Sequence, residues 1–97
     1  MGKLHYGAQQ VFEFEDRTLA HLRSVMTAKL LRQESFLFSW DDHGKLRSIW
    51  LHPTSIVLFE FEGSEEIKLN RAWLEHLADL ANTSGGLRLV PEPDEPK

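Results

Sequence analysis

The strongest constraint on the fold is a change of apolar period at Asp16. Upstream, "KLHY" and "QVFEFE" alternate apolar with polar side chains, which puts Leu4 with Tyr6, and Phe12 with Phe14, on one face of two short strands. Gly7-Ala8-Gln9 between them reads as a hairpin loop. Downstream, Leu19, Leu22, Met26 and Leu30 recur at helical steps and form one stripe, with Asp16 as N-cap and an end near Gln33. The two-residue alternation returns in "SFLFSW" and "KLRSIWL", joined by Asp41-Asp42-His43-Gly44, and again in "IVLFEFE". Phe36, Phe38 and Trp40 share a face, as do Val57, Phe59 and Phe61. Strand and helix repeat at about 2 and about 3.6 residues, so each change of period marks an element boundary.

A second helix has the clearest limits in the chain. Asn70 stands as N-cap, Leu69 is placed to staple against Leu74, Trp73, Leu77 and Leu80 form the stripe, and Gly85-Gly86 follows as a stop. A last strand, "LRLV", precedes "PEPDEPK", whose prolines and acids neither pack nor pair well, so residues 91–97 read as a disordered acidic tail on a single 1–90 domain. The expected fold is α+β, in the order β-β-α-β-β-β-α-β. It has one mostly antiparallel sheet of about six strands, with "IVLFEFE" as the third strand of a meander and both helices on one face.

Composition narrows the function classes. The 97 residues carry 15 acidic against 11 basic side chains, a net charge of −4, which disfavours non-specific attraction to nucleic acid or an anionic membrane. With no cysteine there is no disulfide framework and no thiolate chemistry, and a reducing cytoplasm fits. "MGKLHYG" lacks the apolar run of a signal peptide, and Tyr6 stands where a myristoylation motif has Ser or Thr. No stretch approaches the roughly 20 apolar residues of a membrane span.

Catalytic and metal signatures are weak. His5, His21, His43, His52 and His76 include no H-x-H or H-E-x-x-H spacing, so no metal is expected. Asp41-Asp42-His43 is better read as a hairpin tip. No serine lies in a G-x-S-x-G elbow, and "NTSGGL" follows a helix rather than opening one, so neither an acyl-transfer nucleophile nor a phosphate cradle is indicated and no cofactor is implied. Glu13 with Glu15, and Glu60 with Glu62, read as solvated strand faces.

Two features remain. Arg17, Arg23, Lys29 and Arg32 give the first helix four cations and no acid before Gln33, an arrangement that could lie on phosphates. Lys29 and Arg32, however, sit where the helix dipole favours cations, and the Arg23 and Lys29 stems can cover the core edge. The second feature is "SIWLHP". If Ile49 and Leu51 face the helices, Trp50 and His52 project from the helix-free face beside Leu37 and Leu58; in the opposite phase Ile49 and Leu51 are exposed. Either way this strand has apolar groups on both faces, which favours a protein interface, first of all with a second copy of the chain.

"MGKLHYG", "DRTLAHL", "KLLRQESFLFSW", "SIWLHP" and "LNRAWLEHLADLANTSGGLRLVPEP" together resemble a family of small actinobacterial proteins of about this length. Many of its members carry the genome label "ATP-dependent DNA ligase". The resemblance implies a weak nucleic-acid context at most. Ligases of that kind use a lysine in K-x-D-G as the AMP acceptor, and none of Lys3, Lys29, Lys45, Lys68 and Lys97 lies in that motif. The sequence therefore reads as a non-enzymatic interaction module, with a nucleic-acid accessory role on the basic helix as the alternative.

Overall fold

The structure, a computed structural model, describes residues 1–95. Its elements follow the expected order: β1 (Gly2–Tyr6), β2 (Gln10–Phe14), α1 (Asp16–Leu31), β3 (Phe36–Asp42), β4 (Lys45–Leu51), β5 (Val57–Glu60), α2 (Arg71–Ala81) and β6 (Leu87–Arg88). The single six-stranded sheet is not what they build. The strands form two three-stranded sheets, β2-β1-β5 and β4-β3-β6.

The cause lies between β4 and β5. Pro53 cannot donate to a ladder, and Ser55 N–H donates to the His52 carbonyl (2.8 Å) while His52 N–H donates to Ser55 Oγ (2.9 Å), so the chain turns instead of folding back on β4. Gly7 N–H then takes the Ile56 carbonyl (2.8 Å), and β5 runs antiparallel along β1 with His5 opposite Leu58. The expected third meander strand thus pairs with the first strand of the chain. In the second sheet β6 lies parallel to β3, with Leu87 beside Phe38 and Arg88 beside Ser39.

The helices are shared between the sheets rather than stacked on one face of one sheet: α1 lies against β1 and α2, and α2 lies against β3 and β6. The core between these layers holds Leu4 and Phe14, then Leu19, Leu22 and Met26 of α1, Phe36, Phe38, Trp40 and Leu51, and Trp73, Leu77 and Leu87. Aromatic rings join the sheets. Trp40 meets Phe12 edge-on at 4.9 Å and Phe14 at 5.5 Å between centroids, and stacks on Phe38 at 4.9 Å. Such pairs add about 0.5–1.5 kcal/mol each beyond the area they bury.

Helix ends differ from expectation in instructive ways. Glu15, not Asp16, holds the N-cap position of α1 and makes no side-chain cap. Asp16 instead turns its carboxylate to accept the Glu62 N–H (3.0 Å) and Gly63 N–H (3.3 Å), pinning the chain after β5 to the start of α1. At the other end the helix stops at Leu31, because Gln33 adopts φ 63° and lets its own N–H reach the Leu30 carbonyl and the Glu34 N–H reach that of Lys29. A side chain at positive φ costs free energy that glycine avoids, so Gln33→Gly is expected to raise stability by about 1 kcal/mol in urea denaturation. No helix among the described residues is long and apolar enough to cross a membrane.

Candidate interaction face

The β3–β4 hairpin is built on a two-residue loop. Asp42 pairs with Lys45, and His43 and Gly44 between them both take positive φ, at 52° and 84°, matching the right-handed twist of the flanking strands. Asp41 Oδ1 accepts the Gly44 N–H at 2.9 Å. Asp42 sits below the usual carboxylate range because His43, first, and then Arg47 donate to it; the Arg47 contact is 2.7 Å. So tight a turn fixes the register, and the register fixes the faces.

Phe36, Phe38, Ile49 and Leu51 point inward, leaving Leu37 opposite Trp50, Ser39 opposite Ser48 and Asp41 opposite Leu46 on the outside, with Arg88 beside Ser39. This resolves the phase of "SIWLHP". Ile49 and Leu51 belong to the core side, and Trp50 is 56% exposed. Leu46, four residues earlier on the same face, is 75% exposed. The hydroxyls of Ser39 and Ser48 bond to each other at 2.7 Å, which leaves Arg88 as the charged group beside the middle of the face. Gly86 passes close over Leu37, which is consequently half-buried.

The four residues assigned to this face from sequence are therefore not one strand-paired group. Leu37 and Trp50 are cross-strand neighbours. His52 lies past the end of β4 in the turn, its ring 2.9 Å from Thr54 Oγ1. Leu58 is on the outer face of the other sheet, opposite His5, whose Nε2 lies 2.7 Å from Glu60 Oε1. Sequence reasoning missed Leu46, although the alternation that groups Trp50 with Ser48 continues back to it.

The basic helix is largely occupied by contacts within the chain. Arg17 donates through Nε and Nη2 to Glu92, both at 2.7 Å, and through Nη1 to the Lys68 carbonyl. The Arg23 guanidinium lies 4.7 Å above the Phe61 ring, and Lys29 bridges Asn82 Oδ1 (2.9 Å) and Glu34 (3.1 Å). Arg32 is the exposed C-cap residue.

Arg17 also enters a polar cluster, buried at His21 and Asn70 and open at Arg17 and Glu92, with no evident signature in the sequence. His21 is fully buried; its Nδ1 donates to the Arg17 carbonyl at 2.7 Å, and its Nε2 accepts the Asn70 N–H at 2.8 Å. Asn70 Nδ2 donates to Glu92 Oε2 and to the Pro93 carbonyl. In the segment read from composition as a disordered acidic tail, Glu92 and Pro93 accept hydrogen bonds from Arg17 and Asn70, while residues 96 and 97 lie outside the described residues. Hydrogen bonds from Arg17, first, and Asn70 hold the Glu92 carboxyl down at about 2. A depressed carboxyl pKa contributes stability above its ordinary value near 4.5 and loses it as pH falls toward 2. Chemical denaturation at graded pH should therefore show wild type losing stability across that window more steeply than Glu92→Gln.

An open cavity of about 700 Å³ lies among β2, the β3–β4 tip and the segment after β6, with Glu13, Glu15, Asp41, Asp42 and Glu92 around it. Two of those carboxylates are already paired, with Arg47 and Arg17, and Trp40 and Trp73 offer only 4% of their surfaces. No group of three or more His, Asp or Glu side chains among the described residues could hold a metal ion.

A family model described as "Domain of unknown function (DUF7882)" matches residues 1–92. No curated protein and no solved structure matches the chain.

Proposed function

The chain belongs to the DUF7882 family, and we propose that it is a non-enzymatic, cytoplasmic interaction module that associates with a second copy of itself through the helix-free side of the β4-β3-β6 sheet. The observation that carries this reading is the exposed Trp50, set on a fixed sheet face between half-buried Leu37 and the open end at Leu46. Removing the exposed part of one indole from water is worth about 3 kcal/mol at about 25 cal/mol per Å². A partner that covers Trp50 gains that stabilisation twice if it is a copy, because a two-fold contact buries the same residue on both sides.

Charge supports a copy as partner. The face carries one acid, Asp41, and one base, Arg88, so a second copy joining this sheet brings no surplus of either sign. Trp50→Glu tests the reading. Light scattering after size exclusion should show the average mass of wild type rising with concentration toward a dimer, and that of Trp50→Glu staying monomeric with an unchanged far-ultraviolet spectrum. Equal association of the two proteins would refute it.

A further inference from the structure

We infer that the second copy joins edge to edge, β4 against β4 in antiparallel register centred on Ser48, so that two three-stranded sheets become one of six; this rests on the self-association proposed above. Ser39 sends its carbonyl to the Leu89 N–H, away from β4, so Ser39 and Ser48 are a pair that exchanges no hydrogen bonds. The same parity makes Leu46 and Trp50 point their N–H and C=O groups outward, and the Trp50 carbonyl does so visibly by accepting from the Tyr6 hydroxyl. Among the described residues no other hydrogen bond reaches the outward groups of Leu46, Ser48 or Trp50. β4 is the edge strand of its sheet; the Tyr6 hydroxyl reaches that edge at the Trp50 carbonyl, and an open groove of about 340 Å³ lined by Tyr6, Gln10, Phe12, Arg47, Ser48 and Ile49 runs beside it.

An unpaired seven-residue edge is a template for another strand. The sequence of β4 selects a copy of itself. Centred on Ser48, the antiparallel register places Leu46 opposite Trp50, Arg47 opposite Ile49 and Lys45 opposite Leu51, with no like charges facing. Centring on Leu46 instead sets Lys45 against Arg47, and centring on Trp50 brings Pro53 into the ladder and calls on the carbonyl that Tyr6 already holds. In the Ser48 register four ladder bonds form without that carbonyl: the two reciprocal Ser48 bonds, and Trp50 N–H to the Leu46 carbonyl on each side. Both indoles then lie across the junction from a leucine.

Because the chain has no cysteine, Ser48→Cys supplies one thiol per molecule. Hydrogen-bonded partners in an antiparallel pair have Cα atoms about 5.5 Å apart, within disulfide reach, whereas stacked sheets lie about 10 Å apart. Mild oxidation of the native protein should convert most of Ser48→Cys to a covalent dimer and leave Ser39→Cys, on the same face but one strand inward, monomeric. Ser48→Pro removes the outward N–H together with the hydroxyl that bonds Ser39, and should lose association with an unchanged far-ultraviolet spectrum, whereas Ser48→Ala, which loses that hydroxyl alone, should still associate. If Ser48→Cys still associates with concentration but does not cross-link, the edge-on arrangement is wrong and self-association stands. If wild type does not associate at all, both fall.

Discussion

Gly86→Ala is expected to destabilise the protein by about 3–5 kcal/mol, a large share of what a domain of this size has to lose. Gly86 has φ 81°, where an alanine is strained by about 1 kcal/mol before any contact is considered. The larger cost is steric. A Cβ there would stand 2.4 Å from the Leu37 carbonyl oxygen and 3.0 Å from its Cβ. Leu37 belongs to β3, the central strand of its sheet, so neither side can yield without opening a ladder. Shifting the glycine would also displace Leu87 from the core and the Val90 carbonyl from Trp73 Nε1, which donates to it at 3.0 Å. Gly85→Ala is the control: its nearest neighbour is Thr83 Oγ1 at 4.0 Å, and it should change urea stability by less than about 0.5 kcal/mol.

The second large effect belongs to Asn70. Its Oδ1 accepts the Ala72 N–H (3.0 Å) and Trp73 N–H (3.4 Å), a cap worth about 1 kcal/mol, and its amide donates to Glu92 (2.9 Å) and the Pro93 carbonyl (2.8 Å). Asn70 is fully buried, so truncation leaves polar partners without water to replace it. Asn70→Ala should cost about 2–4 kcal/mol in equilibrium denaturation. Asn70→Asp restores the cap acceptor but turns a carboxylate toward Glu92, so it should fail to rescue stability at neutral pH. Rescue by aspartate would mean that the cap alone matters and that the tether to Glu92 contributes little.

The local order of this fold is legible because it is written in periods and caps. The return of alternation after α1 marks β3 and β4, and the Asn70 cap sets the start of α2 where expected. What could not be read is which strands pair. Partition into two sheets depends on β5 meeting β1 across some fifty residues, a contact that leaves no trace in local pattern. The turn at His52 to Ser55 could signal that β4 ends, but not where β5 goes. Likewise the two glycines after α2 look alike as a helix stop, and only the approach of β3 makes one of them indispensable.

The site divides the same way. Trp50 and Leu37 were identifiable as candidates, since alternation limits a strand to two phases, and packing of Phe36, Phe38 and Leu51 selects between them. Leu58 joins them only if all strands share one sheet; in the two-sheet fold it lies opposite His5. The basic helix presents the opposite problem. Four cations in sequence suggest a charged surface, but Arg17 is bound to a carboxylate 75 residues away that composition assigns to a disordered tail.

The most direct test of self-association at the β4-β3-β6 sheet is a series of amide ¹H–¹⁵N spectra of uniformly labelled protein over a wide range of concentration. Resonances of Leu46, Ser48 and Trp50 should shift as concentration rises, with smaller changes at Leu37 and Ser39, while those of α1 and β5 stay fixed. Spectra that do not depend on concentration, or shifts confined to α1 around Arg23 and Arg32, would contradict it.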